Sequence, residues 1–132
     1  LAGIKHLNRL ENVLARAEWS SPDIHEGVLL DQADNVISGV MSNLFVWRDQ
    51  RLLTPKLDRC GVAGVARARL MRLARGYGID VQETNLNLQA LFDAEEVMVS
   101  NSVMGLRRVA RLVAKSWPEP LISQQLEAWL NA

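Results

Sequence analysis

Apolar residues at Leu7, Leu10, Val13, Leu14 and Ala17 fall on one side of a 3.6-residue repeat, which predicts an amphipathic helix over residues 7–17. WSSPD ends it, because Pro22 cannot continue a helix. The next apolar run, GVLLD (27–31), is short and continuous, the pattern of a buried strand, and QADN after it reads as a turn. VISGVMSNLFVWRDQRLLTP (36–55) predicts two or three strands. Gly39 marks a bend, and RDQ at 48–50 interrupts the apolar pattern as a hairpin tip would.

The loop KLDRCGVAG leads into VARARLMRLARGYG, a second predicted helix over 65–78. Val65, Ala68, Leu70, Met71 and Leu73 give it a broad apolar stripe, and Gly76 and Gly78 suit its C-terminal end. IDVQETNLN (79–87) reads as extended, and LQALFDAEE as a short helix with Asn87 at its N-cap. VMVSNS (97–102) reads as a strand, with extended chain again over 106–113. Leu121, Ile122, Leu126, Trp129 and Leu130 predict a terminal helix. The mixture is α+β or α/β, with more strands than a simple βαβ chain supplies.

Composition narrows the function classes. At 132 residues, 48% of them apolar, the chain is one domain with enough apolar material for a core. Fifteen basic residues balance fifteen acidic ones, so there is no global field to attract nucleic acid or an anionic membrane. The single Cys60 excludes an internal disulfide and a cysteine-based zinc site, and suits a reducing compartment. His6 and His25 cannot make a metal site alone, so no metal is expected. No apolar run approaches the roughly 20 residues that span a bilayer. The start, LAGIKH, lacks the form of a signal peptide, and the expected location is cytoplasmic. A chain that opens on Leu1 rather than methionine also reads as part of something larger.

Three places have the residue types of a site, and each has an ordinary reading beside the chemical one. Lys5, between AGI and the first predicted helix, reads on its own segment as a solvated lysine. In GVAGVA, the amides of Val65 and Ala66 would open a helix after Gly64, which is an anion site or a plain glycine turn. In VSNSV, Ser100, Asn101 and Ser102 offer polar groups to a ligand or to a local turn. On the residues alone the turn readings lead. Arg107, Arg108, Arg111 and Lys115 form a basic stretch that reads first as a solvated face and second as a contact for a dicarboxylate. Trp19, Trp47, Trp117 and Trp129 read as packing, and His6 as a structural hydrogen-bonding residue.

Four segments in register change that balance. KHLNRLENVLAR, VISGVMSNLF, LLTPKLDRCGVAGVARARLM and FDAEEVMVSNSVMGLRRV together resemble the fold-type IV pyridoxal-phosphate enzymes, the family of branched-chain and D-amino-acid aminotransferases and of 4-amino-4-deoxychorismate lyase. The resemblance runs from about residue 5 to residue 109, and KHLNRLE is most like the lyase branch. It implies the larger, C-terminal domain of a D-amino-acid aminotransferase-like fold over 1–132, with an N-terminal domain or fragment as its missing partner. That partner would supply an arginine to the cofactor phosphate, and the enzyme would be a homodimer.

The resemblance also implies roles. Lys5 would bind pyridoxal 5'-phosphate covalently and act as general base, which requires a neutral amine and so burial or neighbouring cations. Gly64, Val65 and Ala66 would hold the phosphate through backbone amides, with Ala66 replacing a threonine of some relatives. Val62 would pack on the ring face, and Ser102, with Asn101 beside it, would reach the phosphate. Ser38 departs from the family pattern, which places a glutamate there to keep the pyridine nitrogen protonated. A weaker electron sink suits a lyase that gains aromaticity in its product better than a transaminase. The expected function is cleavage of 4-amino-4-deoxychorismate to p-aminobenzoate and pyruvate. An aminotransferase of the same fold and a non-catalytic remnant are the alternatives.

Overall fold

The computed structural model describes residues 27–39, 42–57 and 64–131, and the predicted first helix, Lys5, Cys60 and Val62 lie outside them. Its centre is a five-stranded sheet in the order β5-β4-β3-β6-β7. The strands are β3 (Asn43–Arg48), β4 (Arg51–Pro55), β5 (Asp80–Thr84), β6 (Glu96–Asn101) and β7 (Gly105–Arg108). Only β4 and β5 run parallel, joined by helix α1 (Val65–Gly76); every other neighbouring pair in this sheet is antiparallel. β1 (Val28–Leu30) and β2 (Val36–Gly39) form a separate ribbon, as do β8 (Arg111–Leu112) and β9 (Lys115–Ser116). Two further helices, α2 (Leu88–Phe92) and α3 (Ser123–Asn131), complete an α+β fold, one of the two classes that the element pattern allows.

β3 and β6 are apolar without alternation because both of their faces are covered. Phe45, Trp47 and Met98 face one way and pack with Leu70, Met71 and Ala74 of α1 and with Leu126 and Leu130 of α3. Leu44, Val46, Val97 and Val99 face the other way, toward Val36, Leu86, Leu91 and Trp117. The β3–β4 hairpin turns at Asp49 and Gln50, both at positive φ, which matches the right-handed twist of the two strands. The Asp49 amide donates to Glu95 Oε2 at 2.7 Å, so a neighbouring loop supports that turn.

The C-terminal end of α1 follows from local chemistry. There, Ile79 N–H donates to Ala74 O and Gly78 N–H to Arg75 O, with Gly78 at φ +88°. This is a Schellman closure, and Gly78 supplies the left-handed residue it needs. Its buried face is Arg67, Leu70, Met71 and Ala74, spaced at i, i+3, i+4 and i+7. The predicted stripe is therefore corrected at two positions: Val65 is 79% exposed and Ala68 is also exposed. Arg67 takes a buried place because its guanidinium donates to Pro55 O at 3.3 Å and pairs with Glu83 at 3.1 Å.

Three other boundaries differ from the sequence pattern. GVLLD yields a three-residue strand that is only half-buried, with Leu30 exposed, because its ribbon stands apart from the main sheet. The LQALFDAEE helix stops at Phe92, while Asn87 caps it as predicted by accepting the Ala90 amide at 2.9 Å. Glu96 instead begins β6, fully buried, and its Oε2 accepts the amides of Leu121, Ile122 and Ser123 at 3.1, 2.8 and 3.1 Å. That grip sets the start of α3 two residues later than the apolar spacing suggests, and leaves Leu121 exposed. Of the tryptophans, Trp47 and Trp117 are core, and Trp129 stacks on Tyr77 at 4.0 Å between centroids. Among the described residues no helix is long and apolar enough to cross a membrane.

Candidate functional site

The β4–α1–β5 crossover places the start of α1 beyond the C-terminal end of β4, where open sheets containing parallel strands carry their ligands. Gly64 is the N-cap, and as a glycine it gives the first turn no side-chain acceptor. The amides at the head of a helix have no intrahelical acceptor, so they offer convergent donors and the positive end of the helix dipole. Val65 projects into solvent and so does not cover this end.

The N-cap is tied to the sheet from below. Asn43, the first residue of β3, accepts the Gly64 amide on Oδ1 at 3.0 Å. A β-carbon on Gly64 would lie 2.5 Å from that same oxygen, well inside contact distance. Glycine is therefore required here for close approach, and its φ of −70° is ordinary. Ser100 on β6 stands directly opposite Asn43 in the antiparallel register, so both side chains point to the face that carries α1. Ser100 is fully buried, and its hydroxyl has no hydrogen-bond partner among the described residues.

The structure thus gathers Gly64, Val65 and Ala66 at one helix end, with the end of β6 close by through the Asn43–Ser100 pairing. The remaining expected site residues are less closely joined. Asn101 spends Oδ1 on the β6–β7 turn, accepting the amides of Val103 and Met104 at 2.9 and 2.7 Å. This is the local role that the residues alone favour. Ser102 lies in that turn and is exposed. Ser38 is 6% exposed on β2, paired with Leu29 in the small ribbon rather than in the main sheet. The sequence motifs do not single out Asn43, although it stands in SNLF. Its signal is a polar residue at the head of a strand buried on both faces.

The basic stretch divides. Arg107 pairs with Glu127 of α3 at 3.6 Å, Arg108 donates to the carbonyl of Trp117, and Lys115 lies 5.8 Å from the Trp117 ring centre. These contacts serve local packing. A groove of 340 Å³ lined by Arg67, Met71, Arg72, Arg75 and Glu83 lies along the flank of α1. It is an open surface channel and does not include Gly64, Asn43 or Ser100. Among the described residues no cluster of histidine, cysteine or acidic side chains could hold a metal. The donors at the head of α1 fit an anion instead: a helix end whose N-cap residue has no side chain, a glycine with no room for one, and a buried hydroxyl without a partner among the described residues.

The family profile of the class IV amino-transferases matches residues 1–112. Aminodeoxychorismate lyase of Vibrio harveyi is 36% identical over 135 aligned residues, covering 99% of this chain and 50% of its own length. A probable branched-chain-amino-acid aminotransferase of Thermotoga maritima is 30% identical over 128 residues, covering 94% of this chain and 46% of its own. The crystal structure of 4-amino-4-deoxychorismate lyase from Pseudomonas aeruginosa superposes with a TM-score of 0.95 at 44% identity, covering 99% of this chain and 48% of that one. The chain spans about half the length of these curated relatives.

Proposed function

The chain belongs to the class IV amino-transferase family, and on that premise we propose that it forms the cofactor-holding half of an aminodeoxychorismate lyase. The observation that carries the reading is the start of α1, a helix end opened by Gly64 and tied to Asn43, where the family resemblance puts the phosphate of pyridoxal 5'-phosphate. When bound, that cofactor withdraws electrons from the carbon next to the substrate nitrogen. The substrate is 4-amino-4-deoxychorismate, and the products are p-aminobenzoate and pyruvate.

Each residue of this chain has a task in that reading. Gly64 and the amides of Val65 and Ala66 seat the phosphate, and Ser102 adds a hydroxyl from the β6–β7 turn. Val62 packs on the ring. Lys5 holds the cofactor through its amine. Once the substrate amine has displaced it, the freed Lys5 amine would take the proton from the ring carbon that carries the nitrogen. It returns a proton to the methylene of the departing enolpyruvyl group, which leaves as pyruvate while the ring becomes aromatic. Ser38 presents a hydroxyl to the pyridine nitrogen in place of a carboxylate. The partner half supplies the rest of the site, and the whole enzyme is a dimer.

A second reading, an aminotransferase of the same fold, has support from the Thermotoga relative. Ser38 counts against it, since transamination depends on the strongest electron withdrawal. The test uses the intact enzyme, including the half that the relatives carry beyond this chain. Borohydride reduction in the presence of pyridoxal phosphate is expected to leave the cofactor on Lys5. Turnover of 4-amino-4-deoxychorismate is expected to give p-aminobenzoate, with little amino exchange between branched-chain amino acids and 2-oxo acids. Ser38→Glu is expected to raise that exchange. Efficient exchange by the natural enzyme without p-aminobenzoate would establish the aminotransferase, and an adduct anywhere but Lys5 would remove the assignment of the lysine.

A further inference from the structure

The hydroxyl of Ser100 is unusual in this molecule. Leaving a buried hydroxyl without a partner costs the full desolvation of that group, and native chains rarely keep one without reason. Ser100 is 0% exposed and its Oγ has no partner among the described residues. Its place in the sheet says where the hydroxyl points. Register puts Ser100 beside Asn43 on one face, and the Asn43 side chain on that face touches the N-cap of α1. The unspent donor therefore lies under a helix end whose N-cap residue offers no side-chain acceptor.

We propose that Ser100 is a phosphate-binding residue and that Asn43 is the positioning residue that sets the head of α1 above it. The inference rests on the reading of this site as the seat of a phosphate monoester. It adds two residues that the sequence motifs do not assign. Asn43 holds Gly64 by one hydrogen bond and through the lack of space for a side chain there, so the first-turn amides and the Ser100 hydroxyl converge. A phosphate oxygen accepts from both. Ser100 then gains the acceptor that the described residues do not give it.

The experiment titrates the intact apoenzyme with pyridoxal 5'-phosphate and, separately, with pyridoxal, following the cofactor absorbance band. Thermal unfolding of each apoenzyme is measured alongside. Removing one hydrogen bond to a charged group is expected to weaken pyridoxal phosphate binding about tenfold or more in Ser100→Ala, with pyridoxal binding unchanged. The Ser100→Ala apoenzyme should melt no lower than the natural one, because the lost hydroxyl had no partner. Asn43→Asp keeps an acceptor for Gly64 but sets an acidic group beside the phosphate, and should show the same selective loss. Unchanged pyridoxal phosphate affinity in Ser100→Ala would overturn the inference. So would equal losses for both ligands, or a lowered apoenzyme melting point, since these mark a structural serine. If the natural apoenzyme shows no saturable response to pyridoxal phosphate, the reading of the site fails as well, and the two failures are told apart by that control.

Discussion

Glu96 shows how one side chain can place an element distant in sequence. It enters the centre of the sheet at 0% exposure, opposite Trp47 on β3, and Oε2 collects three consecutive amides at the head of α3. Those amides belong to the set that a helix leaves without acceptors, so Glu96 caps α3 from a neighbouring strand. Its other oxygen has no partner among the described residues. Glu96→Ala strands three donors and should destabilise the intact protein by about 2–4 kcal/mol. Glu96→Gln keeps one acceptor oxygen and should cost less. Urea unfolding of both variants measures this; an alanine variant as stable as the natural protein would mean that water replaces the cap at no cost. Sequence pattern could not reveal this role. In DAEEVMV an acidic pair before an apolar run looks like the end of a helix, and only the packing of α3 makes one of the two a buried cap.

At the scale of elements, α1 shows how the same apolar letters can serve opposite faces. Val65 and Leu70 both fit the stripe read from the sequence, yet Leu70 is fully buried and Val65 is 79% exposed. Arg67 takes the inward position one turn before Leu70 and Met71, because Pro55 O and Glu83 satisfy its guanidinium. The prediction follows from the two faces. Leu70→Ala should lower stability by about 2–5 kcal/mol through the cavity it leaves, whereas Val65→Ser should stay within about 0.5 kcal/mol. Denaturant midpoints of the two variants decide it. Equal losses would return Val65 to the core. Other elements were fully legible because their signals are local: Asn87 meets the Ala90 amide three residues on, and Gly78 closes α1 with its own φ.

At the scale of the molecule, residues 27–131 carry both covers of the main sheet, with α1 and α3 on one face and Leu86, Leu91 and Trp117 on the other. A core closed on both sides is expected to fold cooperatively in residues 1–132 alone. The proposed reaction needs more, since this chain spans about half of its relatives. Expressed alone and supplied with pyridoxal phosphate, residues 1–132 should give a cooperative melt but no p-aminobenzoate, while the protein with its other half gives product. Product from the chain alone would show that the proposed partner half is dispensable. By itself, the sequence determined the kinds of element, their order, the glycine turn before α1 and the family motifs. All of these depend on spacing between near neighbours, which a linear pattern records. The tertiary structure alone decided that Asn43 meets Gly64 at the head of α1 and stands beside Ser100 in the sheet. Gly64 and Ser100 are 21 and 57 residues from Asn43 along the chain, and what joins them to it is strand register and one close backbone approach.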